Sequence, residues 1–339
     1  MHLGVHTPVE VPGYLVLDTR VILELIRDNM RVRGLPLPVP EDVLSKWTHG
    51  LSIPRDGEYL LFTGGLYQLL PYIEALVGQL EKLEKGVIGG LALKLAKRVA
   101  KISELAKFVA KPDKRMEEFS TKVLQSIVVL LEAAGVDFYY RPELDGYSGA
   151  LLYDLGLDKS FQQHALKLYE RLREVGVQKI VTVDPHTTHM LRNVYPRYVG
   201  GYSIEVKSYL ELLYENLAKL EFQNASGPEV VIHDPCLYAR FEDILEPPRR
   251  LLEAAGYRVV EPRRSGRLTY CCGGPIEAVA PRLSKRIAEN RVEELSSYST
   301  IIVTLCPICY ANLSRVAPDN TRVEDISILL AERLVSRAG

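Results

Sequence analysis

The chain has 339 residues, 47% of them apolar and 25% charged, which suits a soluble globular protein with room for two domains. Its formal charge of −1 provides no basic field for nucleic acid and no bias toward an acidic substrate. Glu10, Asp18, Arg20, Glu24 and Arg27 interrupt the N-terminal segment, so no secretory leader is expected there. The longest uncharged stretch, residues 59–73, carries Gly64, Gly65 and Pro71 and falls short of the roughly 18 residues that span a bilayer. A cytoplasmic protein is expected.

Taken in chain order, the first clear strand end is "LLFTGG" at 60–65. Residues 86–111 follow as an inserted amphipathic helix. Leu91, Leu95, Val99, Ile102 and Val109 lie on one side, and Lys94, Lys97, Arg98, Lys101 and Lys107 stand between them. Such a helix packs on its own domain with a solvated lysine face, or lies against the inner face of a membrane or a membrane partner. "LLEAAGVDFYY" at 130–140 then reads as a helix closed by Gly135 and followed by a strand, and it recurs as "LLEAAGYRVVE" at 251–261 with Gly256 in the closing position. "KIVTVDPHT" at 179–187 lines up with "TIIVTLCPIC" at 300–309, each a β-branched strand broken by an X-Pro turn. A helical stretch precedes each of these strands, at 160–176 and 283–298. Between the halves, Asn224, Ser226, Gly227 and Pro228 form a linker. Strand and helix alternate, so the fold class is α/β with parallel βαβ units. Two tandem similar domains are expected, at 55–220 with a helical insertion over 80–120, and at 228–339.

All five cysteines, Cys236, Cys271, Cys272, Cys306 and Cys309, lie in the second half. A reducing compartment disfavours disulfides, and an odd count cannot pair off completely. When the halves are aligned, Cys306-Pro307-Ile308-Cys309 falls opposite Asp184-Pro185-His186-Thr187, Cys271-Cys272-Gly273 opposite Tyr147-Ser148-Gly149, and Cys236 opposite Gly65. One half carries a thiolate site and the other carries its scaffold. Structural zinc takes four ligands, usually as two short-spaced pairs, and would leave one cysteine unexplained. A redox dithiol at Cys306 and Cys309 would leave three idle, and a cubane iron–sulfur cluster again uses four.

The pattern of Cys236, then Cys271-Cys272-Gly273, then Cys306-Pro307-Ile308-Cys309 at two wide, matching gaps resembles the cysteine-rich CCG domain of the heterodisulfide reductase family. That family includes the B-type and D-type subunits of heterodisulfide reductase, the K-type subunit of sulfite-reductase-linked complexes, and iron–sulfur subunits of glycolate and lactate oxidases. The likeness covers roughly residues 55–320 and is closest to the D-type subunit. It implies one non-cubane [4Fe–4S] cluster per chain, with all five cysteines as ligands and the adjacent pair bridging neighbouring irons. The activity it implies is reduction of a disulfide, or oxidation of thiols, inside a multisubunit electron-transfer complex. The alternatives are an electron relay for a flavin-dependent glycolate- or lactate-type dehydrogenase, and a zinc-binding structural subunit. Residues 1–54 resemble the connector that follows a ferredoxin module in such proteins, and here the connector would be free to dock a partner. With no cysteine before Cys236, the resemblance implies a separate ferredoxin-like, flavin or membrane cytochrome b-like subunit.

Gly273 and Gly274 would let the backbone approach the inorganic core closely, or form a plain turn. His233, directly upstream of the first ligand, is a candidate for protonating a leaving thiolate, or a histidine bonded to backbone beside Asp234 as helix N-cap. Asp184, His186 and His189 read as remnants of a lost ligand site, dispensable to the centre.

Overall fold

In the computed structural model, residues 19–85, 112–277 and 280–335 are described. The first half carries strands β1 (Tyr59–Phe62), β2 (Phe138–Tyr139), β3 (Lys179–Thr182) and β4 (Glu205–Ser208). The second carries β5 (Glu229–Ile232), β6 (Arg258–Val260), β7 (Ile301–Thr304) and β8 (Arg322–Asp325). They form two four-stranded sheets of the same order, β2-β1-β3-β4 and β6-β5-β7-β8, with every pairing parallel. Sequence reading found the first three strands of each sheet. It missed β4 and β8, whose short, partly exposed edges carry a weak apolar signal.

Twelve helices among the described residues connect and cover the sheets: α1 (Thr19–Arg33), α2 (Leu66–Lys85), α3 (Lys114–Ala133), α4 (Ala150–Asp154), α5 (Asp158–Glu174), α6 (Pro185–His189), α7 (Tyr195–Tyr198), α8 (Tyr209–Glu215), α9 (Glu246–Ala254), α10 (Pro281–Ser296), α11 (Pro307–Val316) and α12 (Ile326–Arg333). None is long and apolar enough to cross a membrane. The basic helix expected over 86–111 lies outside the described residues.

Strand alternation divides the core. Leu60 and Phe62 of β1 join Ile180 and Val206 on one face, together with Phe161, Ala165 and Leu172 of α5. Tyr59 and Leu61 face the other way, into a core shared with the second sheet. In that shared core Val123, Ile127 and Leu131 of α3 meet Ile326, Leu329 and Leu330 of α12, and Phe119 stacks on Tyr310 with ring centroids 3.5 Å apart. The linker at 221–228 is also pinned, by a bridge from Phe222 to Leu334 and a bond from Gln223 N–H to the Arg333 carbonyl. The connector is not free either, because Ile26, Met30, Val39 and Val43 are buried against the first sheet's outer face. These apolar residues therefore serve as cover for the first sheet, a role the sequence reading did not assign to them.

Pairing registers correspond between the sheets. Leu60 lies opposite Ile180, and Val231 lies opposite Ile302. Superposing those pairs sets Gly65 against Cys236 and Tyr67 against Tyr238. These two tyrosines are fully buried and cross between the halves. Tyr67 donates to Asp325 Oδ2 at 2.7 Å, and Tyr238 shares a 2.8 Å bond with Ser208 Oγ. Asp325 and Ser208 end β8 and β4 and are the N-caps of the helices that follow. Tyr67→Phe and Tyr238→Phe should each lower stability by about 1–3 kcal/mol, because each strands a buried polar group. Urea unfolding of the two variants checks this, and unchanged midpoints would remove the seam from the account.

Candidate metal centre

The cysteines sit where the strands of the second sheet end, the position at which α/β proteins place their sites. β5 runs through His233, Asp234 and Pro235 into Cys236. β7 leads to Cys306, the N-cap of α11, with Pro307 at the first helical position and Cys309 in the first turn. The loop between β6 and α10 carries Cys271 and Cys272. One pocket is lined by all five, with Pro235, Leu237, Pro275 and Ile308 as apolar wall. Cys272, Cys306 and Cys309 are buried, while Cys236 and Cys271 are half-buried at the mouth. The donor set is soft sulfur in a dry surround, which suits an iron–sulfur group or zinc and disfavours a hard cation.

Sequence reasoning missed what holds the cysteine loop. Asp234 accepts a two-pronged bond from Arg249 at 2.9 and 3.0 Å and another from Gly266 N–H at 2.6 Å. Its carbonyl accepts from Thr269 Oγ1 at 3.0 Å. Asp234 thus ties the strand end to the cysteine loop, and its carboxylate is engaged there instead of capping a helix. The glycines act by close packing. Gly273 adopts φ 89°, and a Cβ there would stand 2.5 Å from the Ser284 carbonyl oxygen. At Gly274 a Cβ would run into Ile308 Cγ2 and lie 3.4 Å from Cys272 Sγ. Gly273 N–H also donates to Cys271 Sγ at 3.3 Å.

Two histidines approach the sulfurs from opposite halves. His233 is buried, and its Nδ1 accepts from Nε of the fully buried Arg291 at 3.1 Å. A ring nitrogen of His233 lies within 4.8 Å of the Cys272 and Cys309 sulfurs. Arginine stays protonated, so Nδ1 is the acceptor and Nε2–H is the donor toward sulfur. His233 thus bonds a side chain, Arg291, where one of its two sequence readings had it bonded to backbone. His186, at the start of α6 in the first half, places Nδ1 3.9 Å from Cys306 Sγ and lines the pocket with Pro185. The sequence reading of His186 as a remnant gave no sign of this proximity, because it arises only where the two halves meet. His189 is not in the pocket. It bonds Glu242 at 2.6 Å, and Glu242 also takes Asn193 and Arg192. Asp184 caps α6 through His186 and Thr187 N–H, and burial pushes its carboxyl up to about 6.

The sulfurs are electrostatically unequal. Burial pushes the Cys306 thiol up, but hydrogen bonds from Cys309 and His186 outweigh it and hold the group at about 5. Burial likewise pulls His186 down, and its thiolate partner carries it up to about 9. Bonds from Cys271 and Cys309 hold Cys272 well below the usual thiol range, whereas Cys309 is pushed well above it by donating to Cys272 and Cys306. Cys236 is raised to about 11, mainly by burial. The N-terminus of α11 adds its positive dipole end beside Cys306 and Cys309.

Two outcomes are expected. Gly274→Ala should lower the iron bound per chain, since Ile308 or the cysteine loop must move to admit the methyl group, and metal analysis reads this directly. Burial raises Glu277 to about 7, against the pull of Arg315, from a reference of 4.5. The folded state then holds a proton the unfolded state has lost, so stability falls as pH rises through that window. Glu277→Gln, which keeps the acceptor for Asn312 Nδ2 at 2.8 Å, should melt progressively higher relative to wild type between pH 5 and 7 (a window set by the same linkage, roughly). A constant gap would contradict the shift.

Residues 230–314 match the family described as "Cysteine-rich domain", CCG. The chain is 31% identical over 227 residues to the "Probable iron-sulfur-binding oxidoreductase FadF" of Bacillus subtilis, covering 64% of this chain and 32% of that protein. It is 31% identical over 226 residues to the "EtfAB:quinone oxidoreductase" of Syntrophomonas wolfei, covering 62% and 31%. Identity to the D-type subunit of the "Dihydromethanophenazine:CoB--CoM heterodisulfide reductase" of Methanosarcina acetivorans is 26% over 221 residues, covering 60% and 53%. The match thus spans about a third of the first two relatives and about half of the third. The stretch that holds all five cysteines thus matches the CCG cysteine-rich domain, and the chain is similar to proteins described as an iron–sulfur-binding oxidoreductase and a heterodisulfide reductase subunit.

Proposed function

We propose that this chain is the iron–sulfur subunit of an oxidoreductase complex and reduces a disulfide, or oxidises two thiols, at a single five-cysteine centre. The observation that carries the reading is the convergence of all five sulfurs on one apolar pocket. Cys236, Cys271, Cys272, Cys306 and Cys309 would hold a non-cubane [4Fe–4S] cluster, which supplies electrons singly and an iron site for sulfur. Reduction of a disulfide consumes two electrons and two protons and releases two thiols. His233 and Arg291 orient one N–H toward the sulfurs, His186 holds a proton at Nδ1 beside Cys306, and the proline-lined wall excludes water. Gly273 and Gly274 keep the cysteine loop close under α10 and α11.

The same reading divides the chain into a degenerate domain at 55–220 and an intact one at 228–339. Its support is the shared strand order, together with Gly149 and Gly273 in like left-handed turns at φ 83° and 89°. Oxygen stands in the first half where sulfur stands in the second, at Ser148, Asp184 and Thr187. Electrons would come from a ferredoxin-like, flavin or cytochrome b-like subunit, with the complex in the cytoplasm or on the membrane's inner face.

Anaerobic reconstitution tests this. About four irons and four sulfides per chain are expected, with an electron paramagnetic resonance signal that changes when a thiol or disulfide is added. Disulfide turnover driven by reduced methyl viologen should follow. A reducible cluster indifferent to thiols would replace catalysis with the relay of a 2-hydroxyacid dehydrogenase. Stoichiometric zinc with no reducible group would overturn both readings.

A further inference from the structure

Beside the half-buried Cys236 and Cys271, two segments carry large apolar side chains open to solvent. Phe241, Leu268 and Tyr270 are 62%, 74% and 49% exposed. They stand on neighbouring segments, because Arg240 bridges the segment after Cys236 to the segment before Cys271, and the Phe241 ring also leans on His189 with centroids 5.1 Å apart. It donates to the carbonyls of Arg267 at 3.3 Å and Thr269 at 2.6 Å. Arg267 closes the same seam on Asp243 at 2.8 Å.

Arg240, Arg263, Arg264 and Arg267 lie on the same two segments as these apolar side chains, and the guanidinium of Arg264 lies 4.0 Å from the Tyr270 ring centroid. Against four arginines the face sets Asp243. Glu242 is turned inward to His189 and Arg192, and Glu261 is taken up by Arg249. The whole chain carries −1, so this positive charge is segregated, not general. Exposed aromatic and arginine side chains standing proud of the surface match the centre of a protein interface and not a small-molecule cleft. A positive rim steers a partner of opposite sign.

We propose that this face docks an acidic electron-carrier protein of the ferredoxin class, so that its redox centre meets the site on the side where two cysteines approach the surface. The proposal rests on the reading that the five cysteines hold an iron–sulfur group. The transfer is one electron: the carrier's cluster is oxidised by one, the group held by the cysteines is reduced by one, and no bond or proton moves.

The test uses the cluster-loaded full chain under anaerobic conditions, mixed rapidly with a reduced, acidic bacterial two-cluster ferredoxin. The second-order rate should fall as salt rises, and Arg263→Glu/Arg264→Glu/Arg267→Glu should slow it about tenfold or more with most of the salt dependence lost. Reduction of the same variant by dithionite should match wild type, which shows that the centre is intact. If the triple variant fails to load iron, Leu268→Asp serves in its place and should slow ferredoxin alone. A rate that rises with salt, or that is unchanged in the variants, overturns the proposal. So does salt-sensitive binding to anionic-lipid vesicles that the triple variant abolishes while ferredoxin rates stay the same. Viologen-driven disulfide turnover is measured in parallel. Its absence sinks the disulfide reading while leaving the ferredoxin rates to decide the docking face.

Discussion

Tyr67 and Tyr238 reach out of their own halves into the helix caps of the other, and the site depends on that exchange. Each hydroxyl is buried and bonded to the residue that starts the helix after the last strand, Asp325 or Ser208. A phenol that gave up its bond would leave a polar pair stranded in the core, so these contacts fix the halves with little tolerance. The seam around them is the α3–α12 packing and the Glu74–Arg315 ion pair between α2 and α11. Because the halves meet in this register, α6 of the first comes to rest over the strand ends of the second. His186 then stands beside Cys306.

Five sulfurs in a dry pocket cannot all carry charge without counter-charge. Hydrogen bonds pull two thiols down, Cys306 through Cys309 and His186 and Cys272 through Cys271 and Cys309, while Cys309, Cys271 and Cys236 are pushed up. Loading an iron–sulfur group requires the remaining thiols to ionise, so assembly releases protons and couples to pH. The buried Arg291 has a second consequence. It bonds Glu294 at 2.7 Å and His233 at 3.1 Å, which holds the histidine's donor face toward sulfur. Hydrogen bonds of this kind tune the potential of a metal–thiolate group.

Mobility of the cysteine loop is restrained from both ends. Asp234 grips it upstream at Gly266 and Thr269. Ser284 on α10 grips it downstream, donating to the Gly273 carbonyl at 2.9 Å while bonding Asn312 on α11 at 3.1 Å. The pair Cys271-Cys272 is therefore held between two anchored points on rigid elements. Anchoring of this sort preorganises the two sulfurs.

The sequence alone determined the five-cysteine set, the family likeness, the repeated βαβ order and the glycines of the cysteine loop. These were legible because each is a local rule: spacing, β-branched runs, X-Pro turns, and a glycine where φ must be positive. The tertiary structure alone decided which distant groups face the sulfurs. His186 looked like a remnant because 120 residues separate it from Cys306, and Arg291 carries no local mark of its burial beside His233. The connector before residue 55 looked free for the same reason, since its apolar residues show their partner only once the first sheet offers a face. Local spacing prescribes which atoms a chain owns. Packing between the halves decides which of them meet, because that choice depends on burying apolar faces far apart in the chain.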